Sequence, residues 1–417
     1  MSTHTQSEST SHALDVIHKE LSRYLERPSH IDWDKSRSIK SQAWLKSTLR
    51  HLGQWQWLLK QYSRTSPSVG EKACLFLSWQ RIQDYPEHAS AIINQISLWV
   101  KKRLAPKHGF IYALLRRYQR DMDKEAARFR GVASVSHLVP EDLLEILKGM
   151  YPEHWRDITA GWQSRWPLHL RLKKTVDIST YLQQLSEQGI CAVSHQVLDH
   201  TVVLDKWPHV PDLPGYKQGE FWVQDPGAIC LGELWPLNEG VLLDVGSAPG
   251  GKLMLACDQG FMASAVEKDG ARITRLGSNL KRCGWDVQIH HTDACDLKVT
   301  QAPDIIVCDV PCSGSGVYAK HPEAVWMCDV SSLADHTAQQ IALLRWALGT
   351  VKPGGYVIYS TCSIFVQENE DVVAASIGPH RHIPIHHPYL QSRSIGAGCL
   401  PSSAGGGFYY ALIQREC

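Results

Sequence analysis

Residues 1–15 are rich in Ser and Thr and lack the basic start and apolar stretch that mark a secretory signal. No apolar run reaches the roughly eighteen residues that a membrane-spanning helix needs, so a soluble, cytoplasmic protein with no membrane partner is expected. Charge of one sign is also missing. Lys and Arg number 43 against 42 Asp and Glu, for a formal net charge of +1, which confines any nucleic-acid surface to a local patch. The 12 cysteines are too dispersed for a small disulfide-stapled scaffold, and a reducing compartment would leave them as thiols for packing or catalysis. The cluster His380, His382, His386 and His387 includes Pro384 and has no H-E-x-x-H pattern, so no metal is expected. There is no internal repeat and no low-complexity tract beyond the N-terminal tail.

With 417 residues, 43% of them hydrophobic, the chain can bury the cores of two or three domains. Past a disordered tail at residues 1–12, Leu14, Ile17, Leu21 and Leu25 recur three or four apart, and strand-like alternation is scarce up to residue 135. An all-helical domain is expected over 13–135. Its last helix, starting near Gly109, carries Arg116, Arg117 and Arg120, which suit phosphate contact as well as they suit a solvated helix face. Pro140 opens a further helix and a linking α/β segment, 136–225. Within it, Leu168 to Lys174 alternate as a strand with basic Arg171 and Lys173, two more candidate RNA contacts.

From residue 226 short apolar runs alternate with helical stretches. Strands are expected at 241–245, 263–266, 287–290, 304–308 and 356–359, with helices at 270–283 and 331–348 between them. This is the pattern of a Rossmann-like, mostly parallel sheet with helices on both faces, whose ligands lie at the carboxyl ends of the strands.

The chemistry-bearing residues fall at those ends. Gly246, Ser247, Ala248, Pro249, Gly250, Gly251 and Lys252 form a glycine-rich strand-to-helix turn. Leu253 stands where a P-loop requires Ser or Thr, which disfavours ATP. Glu267 ends the next strand, where a carboxylate can accept from ribose hydroxyls, and Asp293 follows the third, where it can meet an adenine edge. An adenosine pocket without a triphosphate cradle suits S-adenosylmethionine. Asp309 and Cys312 follow the fourth strand and Cys362 the fifth, all beside that pocket, whereas Cys308 lies inside a strand and reads as packing.

Three blocks together resemble the RNA cytosine-C5 methyltransferases: residues 247–252; Asp309, Pro311, Cys312, Ser313, Gly314, Gly316 and Val317 with His321, Pro322 and Trp326; and Thr361, Cys362 and Ser363 ahead of Glu368, Asn369 and Glu370. Residues 109–116 resemble the closing helix of a NusB-like domain, and residues 406–411 the family's last strand. The sequence departs at Lys173, where related enzymes tend to carry Asn, and at Val325, which replaces a basic residue. The resemblance implies a monomer that methylates carbon 5 of an unpaired cytosine in small-subunit ribosomal RNA. It also implies Cys362 as the nucleophile that adds to carbon 6, Cys312 as the thiol that assists proton removal and release, and Asp309 as the group on the nitrogen edge of the base. A cytosine methyltransferase of another RNA, such as tRNA, is the nearest alternative. A DNA cytosine methyltransferase would place its nucleophile in the Pro-Cys motif, and a purely RNA-binding module would need no pair of thiols.

Overall fold

The computed structural model describes residues 10–29, 31, 39–132, 138–329 and 333–417. Most of the 1–12 tail therefore lies outside the described residues, and the first helix starts at Thr10. The chain forms two compact units, Met1–Gln163 with Tyr318–Cys328, and Ser164–Val317 with Asp329–Cys417. No helix among the described residues is long and apolar enough to cross a membrane.

The first unit is helical, with helices at Thr10–Glu26, Ile39–Arg50, Leu52–Tyr62, Val69–Asp84, Ala89–Arg103, His108–Val132, Glu141–Met150 and Trp155–Gln163. The apolar spacing read from the sequence puts Leu14, Ile17 and Leu21 on the buried face of the first helix, against a core centred on Trp55, Trp79 and Tyr118. Ser68 and Glu71 form a reciprocal capping box that fixes the start of the fourth helix. Residues 318–328 complete this unit. Tyr24 Oη donates to the Glu323 carbonyl at 2.7 Å, Arg50 Nη2 donates to the Ala319 carbonyl at 2.8 Å, and Trp326 and Met327 pack on the helical core.

The second unit contains two sheets. The smaller is antiparallel, with strands β1 (Leu168–Leu172), β2 (Ala192–Ser194), β3 (Thr201–Leu204) and β4 (Phe221–Val223) in the order β2-β3-β1-β4 and the helix Ile178–Glu187 between β1 and β2. The larger contains β5 (Val241–Val245), β6 (Met262–Glu267), β7 (Gln288–His291), β8 (Ile305–Asp309) and β9 (Tyr356–Thr361). Its remaining strands are β10 (Arg381–Ile383), β11 (Gln391–Ser392), β12 (Ala397–Cys399) and β13 (Phe408–Gln414). Its order is β11-β12-β13-β9-β8-β5-β6-β7, and β10 pairs with β13. The five strands β7-β6-β5-β8-β9 are parallel; β13 joins them antiparallel.

Period-two alternation along these strands feeds two cores. Leu242, Ala265, Ile305, Val307 and Ile358 face helices Gly251–Gln259 and Gly270–Arg282, while Leu243, Val245, Val266, Ile306 and Val357 face helix Leu333–Thr350. Each fully buried Leu, Ile or Val contributes about 1.5–3 kcal/mol. Cys308 is one of these core residues. From β5 the chain crosses first toward β6 and β7, then returns to β8 on the other side. That reversal leaves a crevice beyond the carboxyl ends of β5 and β8, where open α/β sheets take their ligands.

Candidate active site

The turn after β5 is built on close backbone approach. Gly246 has φ +75°, donates its N–H to the Val266 carbonyl at 3.0 Å, and lies so near the Asp309 carbonyl oxygen that a Cβ would collide with it. Only glycine meets both conditions. Ser247 Oγ donates to the Asp244 carboxylate, which is fully buried; burial pushes the Asp244 carboxyl up to about 7 although the Ser247 hydrogen bond opposes this. The Asp244 Oδ1 atom has no hydrogen-bond partner.

The Ala248–Pro249 peptide is cis, and Gly250, with φ +107°, stands ahead of helix Gly251–Gln259. Glu267 Oε1 accepts from the backbone N–H groups of Lys268 (3.0 Å) and Asp269 (3.1 Å), and Glu267 Oε2 is 3.2 Å from Arg272 Nη1. Arg272 Nη2 also donates to the Ala248 carbonyl at 2.5 Å, so one arginine ties the glycine turn to the β6 carboxylate. Sequence reasoning missed Arg272 because a single Arg in an exposed helix gives no signal. Asp293 accepts from the Cys295 N–H and lies 3.6 Å from Lys268 Nζ, with its side chain half exposed at the end of β7.

At the ends of β8 and β9 four expected residues, Lys252, Asp309, Cys312 and Cys362, come together. Lys252 Nζ is 2.8 Å from Asp309 Oδ2. Burial opposes the Lys252 charge, but Asp309, with help from Cys362, outweighs it and raises the lysine above its usual range. Cys312 Sγ and Cys362 Sγ are 3.5 Å apart. Their hydrogen bond is the largest influence on both thiols: it lowers Cys362, with Lys252 adding to this against burial and Asp309, and it raises Cys312, with burial in support. The surroundings thus favour ionisation of Cys362 over Cys312.

A buried polar network underlies the two thiols. Ser315 Oγ lies 3.1 Å from Ser363 Oγ and accepts the Ile364 N–H, and Ser313 Oγ lies 3.2 Å from Ser363 Oγ. Thr361 Oγ1 donates to Asn369 Oδ1. Glu368, completely buried, accepts from Ser313, and Gln340, equally buried, donates to Glu368. Neither Gln340 nor the serine network was legible from spacing, and Glu368 had only its place in a motif to mark it.

The expected basic contacts are mostly engaged. Arg116 donates to Tyr112 Oη and Gln119 Oε1, Arg117 stacks over Tyr62, and Arg120 reaches Asp121 with its side chain 72% exposed. Arg171 is buried and pairs with Asp258 at 3.2 Å, so its guanidinium joins β1 to helix Gly251–Gln259 and is not a phosphate contact. Lys173 Nζ donates to the Cys283 carbonyl. Within the histidine cluster, His387 pairs with Glu233 and His382 accepts from the Gly396 N–H.

A family model described as "16S rRNA methyltransferase RsmB/F" matches residues 232–414, and a second, "Methyltr_RsmF/B-like, ferredoxin-like domain", matches residues 139–210. "Ribosomal RNA small subunit methyltransferase B" of Klebsiella pneumoniae is 30% identical over 385 residues, 88% of either chain. The protein of the same name from Vibrio cholerae is 32% identical, over 82% of this chain and 79% of that one. The chain belongs to the RsmB/F family. Among solved structures, the one titled "Crystal Structure of PH0851" shares the fold with a TM-score of 0.76 at 19% identity, covering 98% of this chain and 99% of that chain. A methyltransferase homolog from Pyrococcus horikoshii covers 65% of this chain and 93% of its own, with a TM-score of 0.56 at 20% identity. The 232–414 match takes in all three motif blocks, with Asp309, Cys312 and Cys362.

Proposed function

We propose that this RsmB/F-family chain methylates carbon 5 of one unpaired cytosine in 16S ribosomal RNA, using S-adenosylmethionine and a covalent bond between Cys362 and carbon 6 of the base. The observation that carries the reading is the convergence of two sulfurs 3.5 Å apart, with the ionisable one under the influence of Lys252 and Asp309.

The residues around the glycine turn fit the methyl donor. Glu267 and Asp293 present acceptors at successive strand ends, suited to ribose hydroxyls and an adenine amine, and Lys252 is turned to Asp309 and not toward a phosphate site. Residues 246–252 would hold the donor beside them. When bound, it supplies an electrophilic methyl group on a positively charged sulfur.

Carbon 5 of cytosine is too weak a nucleophile to take that methyl group directly. The Cys362 thiolate adds to carbon 6, and the displaced electron pair moves into the ring; Asp309 holds the nitrogen edge, and the Lys252 ammonium 2.8 Å from Asp309 supplies the positive charge that offsets the negative charge developing there. Carbon 5 would then take the methyl group as its bond to the donor's sulfur breaks, the sulfur leaving neutral. Loss of the carbon-5 proton to a base leaves the C5–H electron pair to re-form the C5–C6 double bond, and the C6–sulfur bond breaks to release the Cys362 thiolate. Cys312, which faces Cys362, assists this last step. The base must first leave its stack, which costs a few kcal/mol and is easier in a loop than in a duplex.

The helical residues 13–135 are read as a NusB-like RNA-docking domain of a cytoplasmic monomer, with Arg120 as its best exposed candidate contact. The deciding experiment incubates the wild type, Cys312→Ala and Cys362→Ala with 16S rRNA and S-adenosylmethionine, followed by bisulfite mapping and denaturing gels. The reading expects one new 5-methylcytosine from wild type, a denaturation-resistant protein–RNA adduct from Cys312→Ala, and neither product from Cys362→Ala. An adduct retained by Cys362→Ala overturns the assignment of roles; methylation of tRNA in place of rRNA overturns the substrate.

A further inference from the structure

The loop that carries Cys312 is gripped on both sides by two side chains that touch neither thiol. On the near side, Gln340 Nε2 donates to the carbonyl of Pro311 at 2.8 Å. On the far side, the Ser313 N–H donates to Glu368 Oε1, also at 2.8 Å, and Ser313 Oγ donates to Glu368 Oε2 at 2.5 Å. The two grips are joined, because the same Gln340 Nε2 donates to Glu368 Oε1 at 3.1 Å. Both side chains are 0% exposed.

Gln340 comes from helix Leu333–Thr350 and Glu368 from the turn after β9, so the grip reaches the β8 loop from two elements with their own places in the core. Leu344, Ala347 and Leu348 seat that helix against the sheet. Tyr359 Oη, itself buried, donates to the Glu368 carbonyl at 2.6 Å and fixes the turn from below. A buried carboxylate is costly unless hydrogen-bonded, and here its donors are Ser313 N–H and Oγ of the Cys312 loop together with Gln340. In a reaction where a sulfur must reach one face of a flat base, a displacement of about 1 Å can cost on the order of a hundredfold.

We propose that Gln340 and Glu368 are positioning residues that clamp the backbone on either side of Cys312 and thereby set the distance of its sulfur from Cys362. The consequence for turnover rests on the reading of Cys312 as the thiol that assists release. Gln340→Leu removes the grip on Pro311 at nearly constant volume, Glu368→Ala removes the grip on Ser313, and Glu368→Gln keeps an oxygen for the Ser313 N–H and an amide that can donate to Ser313 Oγ.

Two readouts test the clamp on the full chain. The first is geometric and independent of activity: the rate at which the azodicarboxamide oxidant diamide, itself reduced to the hydrazine, joins Cys312 and Cys362 in a disulfide, followed by mass spectrometry of the peptides. Gln340→Leu and Glu368→Ala should slow it on the order of tenfold, and Glu368→Gln by less than about twofold. The second is the adduct. With rRNA and S-adenosylmethionine, Gln340→Leu and Glu368→Ala should accumulate the denaturation-resistant species that Cys312→Ala accumulates, which a generally loosened fold would not do.

An unchanged disulfide rate in Gln340→Leu overturns the clamp, and this variant decides the matter should Glu368→Ala fail to fold. Slowed disulfide formation without adduct, in an assay where Cys312→Ala does trap, overturns the role in release. Failure of Cys312→Ala itself to trap would count against the proposed function, while the disulfide rate would still decide the clamp.

Discussion

Lys252 Nζ lies 2.8 Å from Asp309 Oδ2, and this contact joins the helix after β5 to the end of β8 at the point where the two thiols meet. Removing one partner leaves the other charge uncompensated. Lys252→Met should destabilise the fold by about 1–3 kcal/mol, seen as a lower Tm, and reduce methyl transfer by about a hundredfold or more. Lys252→Met combined with Asp309→Asn should recover most of the stability and none of the methyl incorporation. Recovered activity in the double variant would reduce the ion pair to a structural brace.

The hydrogen bond between the sulfurs lowers Cys362 and raises Cys312. In the wild type, iodoacetamide at neutral pH should therefore alkylate Cys362 faster than Cys312. Removing the donor in Cys312→Ala should move the midpoint of Cys362 alkylation to higher pH, measured by peptide mass spectrometry across a pH series. A midpoint that stays in place, or moves to lower pH, would show that the second sulfur does not stabilise the thiolate.

Asp244 introduces a pH dependence of stability. Its buried carboxyl titrates near 7 in the folded protein and near 4 when unfolded, so between those values the unfolded chain has released a proton that the native state keeps. Native stability from this group is fully present below about pH 4, falls as pH rises, and is lost once pH passes 7. Asp244→Asn keeps a partner for Ser247 and removes the slope. Chemical denaturation should show the variant gaining on the wild type from pH 4 to 7, by about 2–4 kcal/mol over that window.

Gly316 donates to the Cys362 carbonyl and accepts from the Gly407 N–H, both at 2.8 Å, and a Cβ there would overlap the carbonyl oxygens of both residues. Gly316→Ala should lose about 1–3 kcal/mol and impair methyl transfer by shifting the Cys362 backbone. Gly277, in helix Gly270–Arg282 with open space around it, is the control. Gly277→Ala should raise the Tm slightly, by about 0.5–1 kcal/mol of added stability, and leave activity unchanged.

The parallel strands were legible because each is a short apolar run that ends in a polar motif. The expected strand 241–245 matches β5 residue for residue, and the other four expected strands differ at their ends by a residue or two. Cys312 and Cys362 could be placed side by side because strands β8 and β9 are neighbours in the same direction. Gln340 was not legible: it lies in an amphipathic helix, remote in sequence from Pro311 and Glu368, and a lone Gln there has the signature of a solvent-facing position. Arg171 misled for the opposite reason. Alternation with basic residues reads as an exposed strand face, whereas β1 is buried along its whole length and its arginine is neutralised by Asp258, a residue far along the chain.

The excursion of residues 318–328 into the helical unit bears on how the protein is made. Tyr24, Arg50 and the surface that receives Trp326 are synthesised early, yet their partners emerge from the ribosome only after four of the five parallel strands have been translated, a wait of roughly ten to thirty seconds. A fragment that stops at residue 163 keeps these donors and apolar faces without what covers them. The amino-terminal unit is therefore finished only when residue 328 has been made, and neither unit can be cut away as an intact module at a single point in the gene.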